Sequence, residues 1–170
     1  ISQVILSETG EVVSCYEKMH LCQYGASCEK EFFERGERMA VIDLKGWKIA
    51  PLICYDIRIP EMTRALVLEH HADLLLHCGA YFRDESFATW HSFVTTRAME
   101  NQTYLLSINR AGSDYGNSLF CPPWMDENHP AVVFAEYAEQ FRILELDPDL
   151  PANTRSMYTF LKDRRTKYFL

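Results

Sequence analysis

No Cys-x-x-Cys pair occurs among the six cysteines of this 170-residue chain, which stand at 15, 22, 28, 54, 78 and 121. Zinc sites and redox motifs use that spacing, and a chain of this length does not need a disulfide framework. Reduced thiols in a cytoplasmic protein are the simpler account. His70, His71, His77 and Cys78 crowd together, but they straddle an expected helix end and strand, so neither metal nor cofactor is expected from them. Basic charge is also scarce: 17 Lys and Arg face 24 Asp and Glu, a net charge of −7. That balance argues against nucleic acid or an anionic membrane as partner. The one basic cluster, Lys162–Lys167, is short and interrupted by Asp163. No apolar run approaches the roughly 18 residues needed to cross a membrane. Internal repeats, low-complexity segments and an initiator methionine are absent as well.

What is present suits one domain over residues 1–170. Hydrophobic residues make up 48% of the chain, enough for a sizeable core. Ile1–Leu6 and Glu11–Tyr16 read as a hairpin around Ser7-Glu8-Thr9-Gly10, and Val41–Cys54 as two strands around Lys45-Gly46. Trp47–Ile53 is nearly all apolar, as in a strand covered on both faces, although Pro51 conflicts with a central position. Pro60–His71 looks helical and Asp73–His77 is a short buried strand. Ser86–Gln102 is the clearest helix, with Ser86 as N-cap and Phe87, Trp90, Val94 and Ala98 at helical spacing. His91 and Glu100 lie on that helix and are assigned to packing. Thr103–Ile108 returns as a strand, Phe141–Asp147 ends the sheet, and 150–170 forms a C-terminal tail. This alternation argues for an α/β layered fold.

Cys54 ends the apolar run Leu52-Ile53-Cys54, and Pro60-Glu61 opens a helix six residues later. Pro suits the first helical turn and Glu complements the positive helix end. A thiol held between a buried strand and a helix start can face a pocket, with its thiolate favoured by nearby N–H groups.

Three blocks follow in order: Tyr16-Glu17-Lys18-Met19-His20-Leu21, then Cys54-Tyr55-Asp56-Ile57-Arg58-Ile59-Pro60-Glu61, then Arg97-Ala98-Met99-Glu100-Asn101-Gln102. Together they resemble the nitrilase superfamily of carbon–nitrogen hydrolases, from Ile1 to about Asp147 and more loosely through Asp163-Arg164-Arg165. The Tyr-Asp-x-Arg form of the cysteine block is most similar to the ω-amidase branch, which acts on small amides carrying a carboxylate. The resemblance implies a four-layer α-β-β-α sandwich with its N-terminal part absent, and subunits paired as a homodimer or larger homo-oligomer. It also implies that the 150–170 tail packs on a partner rather than on its own core.

For the site, the resemblance implies Cys54 as nucleophile, Lys18 as the charge on the oxyanion, and the Tyr55 N–H as its partner donor. Glu29 is the expected second glutamate, pairing with Lys18 and orienting water, with Glu31 and Glu34 as rivals in register. Arg58 either grips a substrate carboxylate or forms a structural ion pair with Asp56 or Glu61. Tyr81 and Phe82 fall where the family lines its pocket, as wall or as recognition. The family's base glutamate lies well upstream of the lysine. Glu8, Glu11 and Glu17 do not stand in its context, so the chain reads as the C-terminal portion of a longer enzyme and is expected to be inactive alone. A nitrilase, a carbamoyl-group hydrolase and a non-catalytic assembly module are the alternatives.

Overall fold

The computed structural model describes residues 1–25 and 27–170. Strand β1 (Ser2–Leu6) pairs antiparallel with β2 (Val12–Glu17) as a two-stranded unit. The Ser7 hydroxyl closes the connection by accepting the N–H groups of Thr9 and Glu11. A short helix α1 (Glu29–Phe32) leads to β3 (Ile42–Leu44) and β4 (Trp47–Ile53). Lys45 and Gly46 both take positive φ, the geometry a two-residue hairpin turn needs.

After β4 the chain enters a 3₁₀ turn over Cys54–Arg58 and then α2 (Pro60–Leu68), which has proline in its first turn as the sequence predicts. Strand β5 (Leu74–Cys78), helix α3 (Phe87–Asn101), and strands β6 (Tyr104–Ile108), β7 (Leu119–Cys121) and β8 (Val132–Val133) follow. The six strands lie in the order β3-β4-β5-β6-β7-β8, with β4, β5 and β6 parallel and the outer pairs antiparallel. Pairing of β3 with β4 stops at Ile49, so Pro51 lies where β4 has no partner on that side. Its missing N–H therefore removes no ladder bond there, which resolves the conflict read from sequence.

Alternation along the strands sorts the sheet into two faces. Ala50 and Leu52, Leu75, Leu105, and Leu119 and Cys121 join Leu66, Val67, Trp90, Val94 and Ala98 in one buried cluster, so α2 and α3 cover this face. On the other face Leu74, Leu76 and Leu106 are only half-buried, and Ile108 is 41% exposed. The predicted stripe on α3 is the one that packs.

Three expectations need correction. Ser86 stands at the N-cap of α3 as read, but its backbone is already helical and its hydroxyl makes no capping bond; Asp84 accepts the Ser86 N–H on its carboxylate. Residues 141–147 form no strand, and the sheet ends at Val133, leaving Phe141 and Ile143 largely exposed. The tail packs partly on its own core. Helix α4 (Leu150–Met157) buries Pro151 and Thr154, the Gln102 amide donates to the Tyr158 carbonyl, and Tyr158 stacks on Trp124. Beyond the short α5 (Phe160–Asp163), Tyr168, Phe169 and Leu170 are exposed.

Arg97 joins α3 to the turn after Cys54. It is 6% exposed, donates from Nε to the Ile57 carbonyl at 3.0 Å and from a terminal nitrogen to the Arg58 carbonyl at 3.2 Å, and meets Glu100 at 3.0 Å. Hydrogen bonds to a charged group contribute about 1.5–3 kcal/mol each, and orphaned carbonyls add a penalty. Arg97→Met should therefore lower the urea unfolding free energy by about 3 kcal/mol. A loss under about 1 kcal/mol would show that the turn does not depend on this side chain.

Candidate active site

Cys54 takes φ +47°, a left-handed conformation that a non-glycine residue adopts at a cost of about 1–3 kcal/mol. The surroundings hold it from two sides. From one side, the fully buried Asp56 carboxylate accepts the Ile53 N–H at 3.0 Å and the Tyr16 hydroxyl at 2.7 Å. Its other oxygen accepts the His20 N–H at 3.0 Å and meets His20 Nδ1 at 2.9 Å. From the other side, the Cys54 carbonyl accepts the Tyr81 hydroxyl at 2.8 Å and lies 3.0 Å from His77 Nε2. Burial, and then the Asp56 charge, push the Tyr16 hydroxyl far above its ordinary pKa, so it remains a donor.

Lys18 follows the end of β2 and is 1% exposed. Its Nζ reaches both Glu29 oxygens, at 2.5 and 2.6 Å, and Glu29 also accepts the Cys22 N–H at 2.7 Å. That arrangement settles the register: Glu29 meets the lysine, Glu31 is exposed on Gln23, and Glu34 is exposed. The Gly36 N–H donates to the Lys18 carbonyl at 2.8 Å, and a Cβ on Gly36 would overlap the Glu17 backbone. Only glycine lets that loop lie flat against the lysine's strand end.

Lys18, Glu29, Cys54, Tyr55, Arg58, Tyr81 and Phe82 all line one cavity of about 590 Å³, so every site residue read from sequence comes together. The Tyr55 N–H lies in the first turn of the 3₁₀ segment, where no intrahelical acceptor exists. Arg58 forms no ion pair among the described residues, because Asp56 is taken by Tyr16, His20 and Ile53. Its guanidinium instead lies over the Phe93 ring at 4.6 Å and the Tyr24 ring at 5.4 Å. Tyr81 presents a ring to the cavity, but its hydroxyl is committed to Cys54. Phe82 is half-exposed, edge-on to Tyr115.

One expectation fails on electrostatics. Burial pushes the Cys54 thiol above its ordinary pKa; Lys18 pulls it down, Glu29 works against Lys18, and burial prevails. That direction runs against the thiolate expected at the helix start. Glu29 and Asp84 are the carboxylates that line the cavity among the described residues, and Glu29 is spent on Lys18. Glu8, Glu11 and Glu17 are exposed on the hairpin. Asp56, Tyr16 and His77 support the site, a role the sequence reading did not give them. The available signals were an aspartate two residues past the cysteine and a histidine interrupting the apolar run of β5.

Residues 1–139 match the profile of the carbon–nitrogen hydrolase family, and the chain belongs to that family. Within it the chain is 34% identical over 114 residues to the omega-amidase YafV of Escherichia coli strain K12, covering 67% of this chain and 42% of that protein. The human deaminated glutathione amidase is 30% identical over 133 residues, 71% of this chain and 40% of that protein. Among solved structures, Saccharomyces cerevisiae Nit3, a member of branch 10 of the nitrilase superfamily, superposes with a TM-score of 0.80 at 28% identity, over 96% of this chain and 59% of its own. The fold is therefore the α-β-β-α sandwich of the nitrilase type, and the branch it resembles is the ω-amidase one. The chain spans about half the length of these relatives.

The raised thiol gives a pH-dependent expectation. At pH 7 iodoacetamide should label the exposed Cys15 and Cys28 before Cys54, and the Cys54 rate should climb steeply as pH rises through the ordinary thiol range. Site-resolved mass spectrometry reads this, and Cys54 reacting first at neutral pH would contradict the electrostatic account.

Proposed function

We propose that this protein hydrolyses the C–N bond of a small amide that carries a carboxylate, through a thioester on Cys54, with release of ammonia. The observation that carries the reading is the shared cavity. It holds a thiol, a buried lysine locked to a glutamate, and an arginine free of carboxylate partners among the described residues. Omega-amidase and deaminated glutathione amidase are the names of relatives, which supports an amidase of this kind.

In this reading Cys54 attacks the carbonyl and its proton passes to a base. The Lys18 ammonium and the Tyr55 N–H take the developing oxyanion, in a site where burial strengthens both. Glu29 holds the lysine and orients the water that cleaves the thioester. Arg58 stands on an aromatic platform with its donor edge available, which suits bidentate capture of a carboxylate. Glu29 is committed to Lys18, and the family resemblance implies a further glutamate as acceptor of the thiol proton, a place that Glu8, Glu11 and Glu17 do not fill. Residues 1–170 alone are accordingly proposed to release no ammonia from amides. We extend the proposal to a homo-oligomer, supported by the exposed Tyr168, Phe169 and Leu170, and to a cytoplasmic location.

The test is ammonia release by the purified native protein from succinamate and from the smaller, neutral propionamide. Arg58→Lys should raise KM for succinamate about tenfold and leave propionamide within about twofold, since the charge survives but the fork does not. Equal weakening of both substrates would assign Arg58 to loop structure. Lys18→Met should lower kcat on both by about 10²–10³, and near-normal turnover would remove the lysine from the oxyanion.

A further inference from the structure

Behind Cys54 lies a polar chain that this mechanism does not use. Leu52, His77, Ser107 and Leu119 form one row across β4, β5, β6 and β7, on the face that α3 covers. His77 and Ser107 have no solvent exposure, and buried polar groups are costly unless paired. Here they are paired in a single direction. The Trp90 indole N–H can only donate, and it lies 3.1 Å from Ser107 Oγ. Ser107 Oγ lies 2.6 Å from His77 Nδ1, and His77 Nε2 lies 3.0 Å from the Cys54 carbonyl oxygen.

A carbonyl offers only lone pairs, so Nε2 must carry the hydrogen. Neutral imidazole then presents a bare Nδ1, to which the Ser107 hydroxyl donates while its oxygen accepts from Trp90. Burial holds the His77 pKa down at about 4; the bond to the Cys54 carbonyl and then the Asp56 charge pull it up without overturning that, and Lys18 pushes it down further. Tyr81 brings a second donor to the same carbonyl, with its ring stacked on Trp90 at 4.7 Å. A Cβ on Gly79 would lie 2.8 Å from the Tyr81 ring, so glycine lets that tyrosine sit there.

The consequence runs through the peptide bond. The Cys54 carbonyl and the Tyr55 N–H belong to one planar trans unit and point in opposite directions. Anchoring the oxygen in the core therefore aims the N–H the other way. We propose that His77, fixed in its tautomer by Ser107 and Trp90, is a positioning residue that with Tyr81 orients the Tyr55 N–H toward the oxyanion and holds the Cys54 backbone. This rests on the reading of Cys54 as nucleophile.

Two readouts test it on the purified native protein. Proton–nitrogen NMR of the histidine rings should show His77 as the neutral Nε2–H tautomer at pH 7; the Nδ1–H tautomer or an imidazolium would overturn the proposal. In succinamate hydrolysis, His77→Leu should lower kcat by about 10–100-fold, short of losing the donor outright, with KM within about twofold. His77→Gln, which restores an N–H donor, should recover most of kcat. Equal kcat in the Leu variant and the wild type, or equal loss in Leu and Gln variants of matched unfolding midpoint, would overturn it too. If the Leu variant does not fold, the tautomer and the Gln variant decide. A wild type that hydrolyses no amide would sink the proposed function, and the tautomer alone would then judge the anchoring of the carbonyl.

Discussion

A cysteine forced into left-handed backbone at the end of a buried parallel strand is the constraint on which the rest of the site depends. The strain of about 1–3 kcal/mol persists only because the neighbours over-determine it. Asp56 is the principal one. Its buried carboxylate gathers donors from β2, from the loop after Lys18 and from the residue just before Cys54. Removing that carboxylate would leave its buried donors without an acceptor, at about 1–3 kcal/mol each, and would release the lysine's strand end from the cysteine's turn. The carbonyl contacts from β5 and the following loop hold the opposite side. Two structural units that are distant in sequence are thereby kept in register around one cavity.

The electrostatics divide the work between groups. Burial disfavours both the charge on the Cys54 thiol and the proton on His77, whose ring meets the Cys54 carbonyl. The charged members are instead paired or shielded: Lys18 with Glu29, Arg58 against aromatic rings. A site arranged in this way does not rely on a pre-formed thiolate. In the proposed reading Lys18 and the Tyr55 N–H meet the oxyanion, and activation of the thiol falls to a proton acceptor.

Much of this was legible in the residues, for definite reasons. Hairpin turns at Gly10 and Gly46, the proline opening α2 and the α3 stripe are local signals, and the strands and helices follow them closely. Lys18, Cys54 and Arg58 sit in ordered blocks, so their meeting in one cavity was legible, while Glu29 lies outside the blocks and had rivals in register. What escaped reading is long-range. Asp56 and His77 matter through partners 23 to 40 residues away, and nothing in their local pattern names Tyr16, Cys54 or Ser107. The thiol's raised pKa escaped as well, since it reflects burial by the whole sheet rather than the helix start beside it. Residues 141–147 carry a strand-like pattern without a strand partner, and Ser86 keeps the N-cap position of α3 but makes no capping bond, its own N–H being held by Asp84.

The most direct test of the central claim is an acid quench of the purified native protein during turnover of succinamate, followed by intact-mass and peptide-level mass spectrometry. The account predicts a succinyl thioester on Cys54, absent in Cys54→Ala together with all ammonia release. A Cys54→Ala variant that still releases ammonia, or an acyl group found on another cysteine, would contradict it.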